Sequence, residues 1–272
     1  MASKTVFITG GASGLGKATA IHFARKGYRV CIGDIHEERG IATERELLAI
    51  QPDCLFRRCD VSKSEDLEAI RDELVKLWGG VEVVINNAGV AGVAGFIEDT
   101  TVTDWDWVLN INLLGVVRGC RTFIPVMKAQ GYGHIVNIAS MAGLMNAPMM
   151  ANYNVSKAGV ISLSETLRTE LSSFGIGLSV VCPAFFATNL TESMRSTVPG
   201  MESKVHKMMA RSGVSAEDVG KAIYDAVDND EFYVLTHQQE KRLWQFKRLW
   251  PDGFAYLLKR KTRSFLPKSQ AH

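Results

Sequence analysis

Seven short runs of β-branched and apolar residues, at 5–9, 29–33, 54–57, 81–86, 134–139, 177–181 and 232–235, recur along this chain with helix-length amphipathic stretches between them. None alternates strictly between apolar and polar positions. Strands that are apolar on both faces belong to a parallel sheet covered by helices on both sides. The intervening helices are expected at 14–26, 37–50, 64–77, 103–130, 152–174 and 215–228. Repeated βαβ units with right-handed crossovers predict an α/β fold with one doubly wound domain over 1–236, its ligand crevice lying beyond the carboxyl ends of the strands. Two segments break the rhythm. Residues 189–213 are polar at the start and then rich in Met, which suits a substrate lid, and residues 237–272 add two helical patterns after the last strand as an appended arm.

Composition removes several classes. With 272 residues, 46% hydrophobic and 22% charged, the chain is neither disordered nor collagenous, and it can bury a core without disulfide staples. No stretch approaches the roughly 18 apolar residues of a spanning helix, and Met1-Ala2-Ser3-Lys4 leads into a strand without a signal-peptide core, so a cytoplasmic protein is expected. The five cysteines (Cys31, Cys54, Cys59, Cys120 and Cys182) are odd in number and form no C-x-x-C pair, which reads as reduced and structural; no metal site is expected. A net charge of +2 argues against nucleic acid as a partner. That total hides an asymmetry. Residues 237–272 hold nine Lys or Arg and two acids and so carry +7, leaving −5 on residues 1–236.

The first strand runs into Thr9-Gly10-Gly11-Ala12-Ser13-Gly14-Leu15-Gly16 and then a helix. Glycines let backbone amides approach a pyrophosphate, and the helix presents its positive end to that anion. Asp34 closes the second strand 20 residues past Gly14, where a dinucleotide fold places the acid that binds the adenosine ribose hydroxyls. A carboxylate there accepts hydrogen bonds from the 2′ and 3′ hydroxyls of NAD and repels the 2′-phosphate of NADP, and neither Ser13 nor Ile35 is a compensating base. NAD(H) is therefore the expected cofactor, with Arg39 the one nearby cation that could soften the preference.

Further on, Tyr153-Asn154-Val155-Ser156-Lys157 opens a helix, and the i, i+4 spacing puts phenol and ammonium on one face. A phenol has a pKa near 10, and each unit by which a neighbouring cation depresses it corresponds to about 1.4 kcal/mol, so such a tyrosine can exchange a proton near neutral pH. Ser140 closes the fifth strand and Asn87-Ala88-Gly89 the fourth, both at the crevice edge.

These four motifs, in this order and spacing, resemble the short-chain dehydrogenase/reductase family over residues 4–236. The resemblance implies a Rossmann domain with a seven-stranded parallel sheet and an NAD(P)-dependent oxidoreductase acting on CH–OH groups. Tyr153 would then be the general acid/base, Lys157 would bind the nicotinamide ribose and lower the tyrosine pKa, and Ser140 would hold the substrate oxygen. Asn112 matches the family's helix asparagine that anchors a proton-relay water, with Asn110 its rival in this sequence. Gly10, Ser13, Gly14, Leu15, Gly16, Asp34 and Ile35 would hold the pyrophosphate and adenosine ribose. Asp60 and Val61 match the pair that contacts the adenine, and Asn87, Ala88 and Gly89 would border the adenosine side. Asn86 is expected to tie strands together. Pro183 and Thr188 fit the nicotinamide loop, although Ala184 stands where the family usually has Gly; if that position needed positive φ, alanine would cost about 1 kcal/mol.

Eight of the ten methionines lie at 141–150 or 194–209, stretches that face each other across the nicotinamide in this fold. Met141, Met145, Met149 and Met194, with Phe96 and Phe185, suggest an adaptable apolar site for a steroid-, aryl- or fatty-type secondary alcohol or ketone. The alternative is that half of these methionines pack the lid. Arg195, Lys204, His206, Lys207 and Arg211 are the lid groups that could meet an anion. In the basic tail, Leu243, Phe246, Leu249 and Trp250 share one helical face, which fits packing on its own protein, on a partner subunit, or peripherally on an anionic membrane. The helices at 103–130 and 152–174 resemble those of the family's dimer interface, so a homodimer or homotetramer is expected. The competing readings are an NADPH-dependent ketoacyl or carbonyl reductase and a non-catalytic NAD(H)-sensing scaffold.

Overall fold

In the computed structural model, residues 4–262 are described except Ala187, Pro199 and Arg211, and Glu202, Lys204 and His206 are described by backbone alone. The side chains of Lys204 and His206, and the whole of Arg211, thus lie outside the described residues. Strands β1 (Thr5–Thr9), β2 (Arg29–Asp34), β3 (Leu55–Arg58), β4 (Val83–Asn86), β5 (Val93–Ala94), β6 (Gly133–Ile138), β7 (Ile176–Val181), β8 (Arg195–Ser196) and β9 (Tyr233–Val234) form two sheets. The larger has seven strands in the order β3-β2-β1-β4-β6-β7-β9, every neighbouring pair parallel.

The absence of alternation has a direct cause. Phe7, Cys31, Val84, Ile135 and Val180 point to one face and pack with Leu67, Leu74, Phe123, Met127 and Val160. Their neighbours Val6, Ile8, Ile32, Ile85, Val136 and Val181 point to the other, against Phe23, Leu47 and Ile223. Both faces are thus dry. The covering helices are α1 (Gly14–Arg25), α2 (Glu37–Leu48), α3 (Ser64–Trp78), α4 (Val102–Asn112), α5 (Leu114–Gln130), α6 (Met141–Met145), α7 (Ala151–Leu171), α8 (Met201–Ala210) and α9 (Ala216–Asp228), followed by α10 (Gln238–Leu249) and α11 (Pro251–Thr262). All five cysteines are buried and free.

Three features depart from the sequence reading. The stretch expected as one helix over 103–130 breaks at Leu113 (φ −110°, ψ −59°), because the fully buried Asn112 turns its amide onto the Val90 backbone, accepting from N–H (2.8 Å) and donating to C=O (2.9 Å). A second, two-stranded parallel ribbon pairs β5 with β8, so the 189–213 segment is stitched to the loop beyond β4. Finally, the tail's apolar face is divided. Its first helix packs on the body, with Trp244 against Tyr233 at 5.5 Å and Lys247 Nζ donating to Leu144 O, whereas Leu249 and Trp250 are 87% and 61% exposed. Among the described residues no helix is long and apolar enough to cross a membrane.

Candidate active site

The carboxyl ends of β1 and β4 are joined into one cradle. Thr9 Oγ1 accepts from the backbone N–H groups of Asn87 (3.0 Å) and Ala88 (3.1 Å), and the Asn87 amide donates to Thr9 O (2.8 Å) and Gly10 O (3.1 Å). The close approach explains the glycines. A Cβ at Gly10, whose φ is +64°, would lie 2.8 Å from Ala88 Cα, and one at Gly16 would lie 2.1 Å from Gly10 O. Ser13 caps α1 in extended conformation with no side-chain hydrogen bond to the helix, and the first turn carries no acid, so the positive helix end faces the turn uncompensated. Leu15 is buried behind it. Space kept clear by two glycines, with a bare helix end beside it, fits a pyrophosphate.

Asp34 ends β2 only 8% exposed. Its carboxylate accepts from the Ala12 N–H and the His36 N–H, each at 3.0 Å, which orients it at the rim of the same turn and leaves lone pairs for hydroxyl donors. Ile35 beside it is 54% exposed. The neighbouring cation Arg39 pairs with Glu192 of the 189–213 segment at 2.8 Å. Asp60 is spent locally, accepting from Ser62 N (2.9 Å) and Oγ (2.6 Å), while Val61 packs so closely on α5 that a Cβ at Gly115 would lie 2.9 Å from it.

Tyr153 and Lys157 lie one turn apart on α7, 8% and 4% exposed, with Lys157 Nζ 5.8 Å from the phenol ring centroid. Lys157 Nζ donates to Ile138 O (2.9 Å), which leaves two donors, and it lies 3.6 Å from where a Gly89 Cβ would stand. It therefore faces the cradle. Burial pulls its pKa down to about 8, with Cys182 acting the other way. At Tyr153 the balance runs opposite to the sequence expectation: burial pushes the phenol up to about 12 and outweighs a hydrogen bond with Ser140 that lowers it. Ser140 is the N-cap of α6, accepting from Ala142 N (3.1 Å) and donating to Pro183 O (3.3 Å). Asn112 reaches the same place from α4, its Oδ1 lying 3.1 Å from the Gly89 Cβ position and its amide donating to Ser156 Oγ. Asn110 instead binds Arg118, at 2.7 Å. Asn86 donates to Asn137 Oδ1 (2.9 Å), linking β4 to β6.

Beyond β7 the chain passes over the cradle. Thr188 Cβ and Asn189 N both lie 3.6 Å from a Gly14 Cβ position, and Thr188 caps the following short helix by accepting from Leu190 N. Ala184 is not among the residues of positive φ, so its methyl carries no backbone strain. Met149 is, at φ +65°, and its carbonyl accepts from Gly95 N (2.9 Å); a non-glycine residue held there costs of order 1 kcal/mol, a kind of strain that gathers at functional sites.

The two Met-rich stretches meet. Met149, Met201 and Met209 pack with Ala94, flanked by Phe96 and Met194. Met141 is elsewhere, buried in the main core, with Met145 partly buried against that core; Phe185 is 39% exposed. Arg195 is engaged, its guanidinium 3.3 Å from Asp104 and 3.9 Å from the Trp107 ring centroid.

Sequence reasoning missed Asn152, whose amide holds both backbone groups of Val93, and His237, which holds the loop after β7. A lone histidine after the last strand gave no periodic or spacing signal.

The family model for short chain dehydrogenases matches residues 4–199. The chain belongs to the short-chain dehydrogenase family. It is 36% identical over 257 residues to the probable oxidoreductase EphD of Mycobacterium tuberculosis, a match covering 91% of this chain and 43% of that protein, so the chain spans less than half the length of that relative. It is 30% identical over 270 residues to a CLA biosynthesis dehydrogenase/reductase of Lactiplantibacillus plantarum, covering 92% of this chain and 94% of the relative. Among solved structures, a short-chain dehydrogenase/reductase from Burkholderia phymatum in complex with NAD superposes with a TM-score of 0.85 at 32% identity, over 90% of this chain and 93% of the other. The apo form of LigD from Sphingobium gives 0.75 at 29%, over 97% and 98%. The cradle and these relatives together support a nicotinamide cofactor for this short-chain dehydrogenase.

Proposed function

We propose that the chain interconverts an apolar secondary alcohol and its ketone, with NAD(H) preferred over NADP(H). The observation that carries this is the convergence of Ser140, Tyr153 and Lys157, all nearly buried, beside a glycine cradle bordered by Asp34. The cofactor, when bound, supplies the acceptor or donor of hydride. Everything else is this chain's work. Ser140 and Tyr153 present two hydroxyls to one substrate oxygen and orient it. Tyr153, a phenol near 12 through burial, is in the form that donates a proton to a ketone oxygen. Accepting one from an alcohol requires a positive charge nearby, and Lys157 is the group placed to supply it. With a pKa near 8 it is protonated over neutral by about tenfold at pH 7. The Ile138 carbonyl holds that ammonium near Gly89, where Asn112 Oδ1 also reaches.

The NAD preference rests on Asp34, held by two backbone amides, and on Arg39 being turned toward Glu192. The apolar substrate is supported by the Met149, Met194 and Phe96 cluster. A screen of aryl, aliphatic, steroid and polyol secondary alcohols with NAD+ and NADP+ tests both points. Higher kcat/KM with NADP+ overturns the first, and polyols outperforming apolar alcohols overturns the second.

Two surfaces extend the proposal. The exposed side chains of Leu114 on α5 and Val155 on α7 support assembly into a homodimer or homotetramer through those helices, and a monomer in light scattering overturns it. Leu249, Trp250 and Tyr256, exposed beside Arg248, Lys259 and Arg260, support contact with an anionic membrane surface. Equal sedimentation of the whole chain and a Trp250→Ser variant with phosphatidylserine liposomes overturns that part.

A further inference from the structure

The C-terminal extension carries no motif, yet its first helix touches both segments that frame the reaction site. At the start of α10, His237 is buried, 8% exposed, beneath the loop after β7. The Ala184 N–H donates to its Nδ1 at 3.2 Å, and its Nε2 lies 3.2 Å from Phe185 O. An amide N–H can only donate and a carbonyl can only accept, so the two partners together assign the Nε2–H tautomer. Thr236 Oγ1 lies 2.9 Å from Nδ1 and Ser212 Oγ 3.5 Å from Nε2, placing the ring among four polar groups. Almost three turns later, Lys247 Nζ donates to Leu144 O at 2.5 Å, with its ammonium 5.7 Å from the Phe254 ring centroid. Leu144 belongs to α6, the single short helix whose N-cap is Ser140. Both clamped segments meet again at Pro183 O, which accepts from Ser140 Oγ and Met141 N.

We propose that α10 is a brace for the reaction site, with His237 positioning the Ala184–Phe185 backbone and Lys247 positioning the turn that begins at Ser140. Both act through the groups they hold, and the proposal rests on the reading of Ser140 and Tyr153 as the reacting pair. The extension is then part of the site's architecture, setting the distance between the substrate-binding hydroxyl and the loop that covers the cofactor. His237 fits this task because one rigid ring offers an acceptor and a donor to adjacent backbone groups. A glutamine amide offers the same pair, and phenylalanine offers the shape alone.

The test uses the full chain with His237→Phe, His237→Gln, Lys247→Met and Tyr153→Phe, read by amide hydrogen exchange, NADH fluorescence titration, and turnover of 1-phenylethanol and 2-octanol. His237→Phe is expected to speed exchange at 184–186 at least tenfold and weaken NADH at least threefold, while His237→Gln stays within twofold of the parent in both. Lys247→Met, which keeps the aliphatic stem, is expected to speed exchange at 141–146 while leaving NADH affinity within twofold, and to raise the KM of whichever alcohol is turned over. Each variant should disturb its own segment and spare the other. The brace is refuted if His237→Phe and His237→Gln behave alike, or if Lys247→Met leaves exchange at 141–146 unchanged. Should His237→Phe fail to fold, the partly exposed Lys247→Met decides the matter. If Tyr153→Phe kept its turnover, the reading of the site would fall by itself, whereas the exchange data judge the brace without any substrate.

Discussion

His134 offers a quantitative check on how tightly the sheet is sealed beneath the site. It sits in β6, the strand that delivers Ser140, and is 7% exposed. Ser179 Oγ donates its one proton to Glu231 O (2.6 Å), so it must accept from His134 Nε2 at 2.8 Å, which leaves Nδ1 bare and 3.8 Å from Asp230. Burial drives the imidazole pKa from 6.5 down to about 4, with Asp230 opposing. The folded-state value is depressed, so the unfolded chain takes up the proton first; this contribution to stability is complete above pH 6.5 and is lost as pH falls through 4. At about 1.4 kcal/mol per unit, the full loss is about 3 kcal/mol, of which about 2 kcal/mol falls between pH 7 and pH 5. Urea unfolding of the parent and of His134→Gln, followed by tryptophan fluorescence at pH 7 and pH 5, isolates it, because other titrations cancel in the difference. The variant should lose about 2 kcal/mol less than the parent over that interval. Equal losses would show that the ring takes up its proton in the folded state at an ordinary pH, and the sealed-sheet argument would fail.

Gly16→Ala should weaken NADH binding at least tenfold, since its Cβ would stand 2.1 Å from Gly10 O and push the turn open; an unchanged fluorescence titration contradicts the cradle. Tyr153→Phe should remove all but a few per cent of turnover while NADH still binds, as measured by steady-state kinetics and the same titration. All five cysteines are buried, and burial holds Cys59, Cys120 and Cys182 up near 12, so a thiol reagent should label the native protein slowly and all five on unfolding. Asn146→Gly should stabilise the chain by about 0.5–1 kcal/mol in urea, because Asn146 ends α6 at φ +55°, and a lower midpoint would show that its side chain matters more than its backbone.

What was legible in the sequence is what leaves a local trace. The central strands could be read because neighbours such as Val6 and Phe7 face opposite cores, which makes those strands near-continuous apolar runs. The cradle could be read because the spacing from Gly10 through Gly16 to Asp34 is set by one strand–turn–helix–strand unit. The tie from β5 to β8 left no trace, since two residues cannot display a period and the partners lie 102 positions apart. The contacts of His237 and Lys247 are equally silent, each joining a single side chain to backbone carbonyls or amides that any residue supplies. The phenol of Tyr153 shows a different limit. Its neighbours were readable, but its burial was not, and burial controls its pKa.

Thr9 is the least conspicuous part of the cradle, a hydroxyl at the end of β1 that receives two amides from the end of β4 while its own carbonyl receives the Asn87 side chain. Two strand ends are therefore welded at one residue. In relatives of this chain, positions 9 and 87 should change together or not at all, and replacing both should cost less than the two single replacements added. The cofactor turn would then be inherited as a joint between strands, in which a glycine motif is only the visible half.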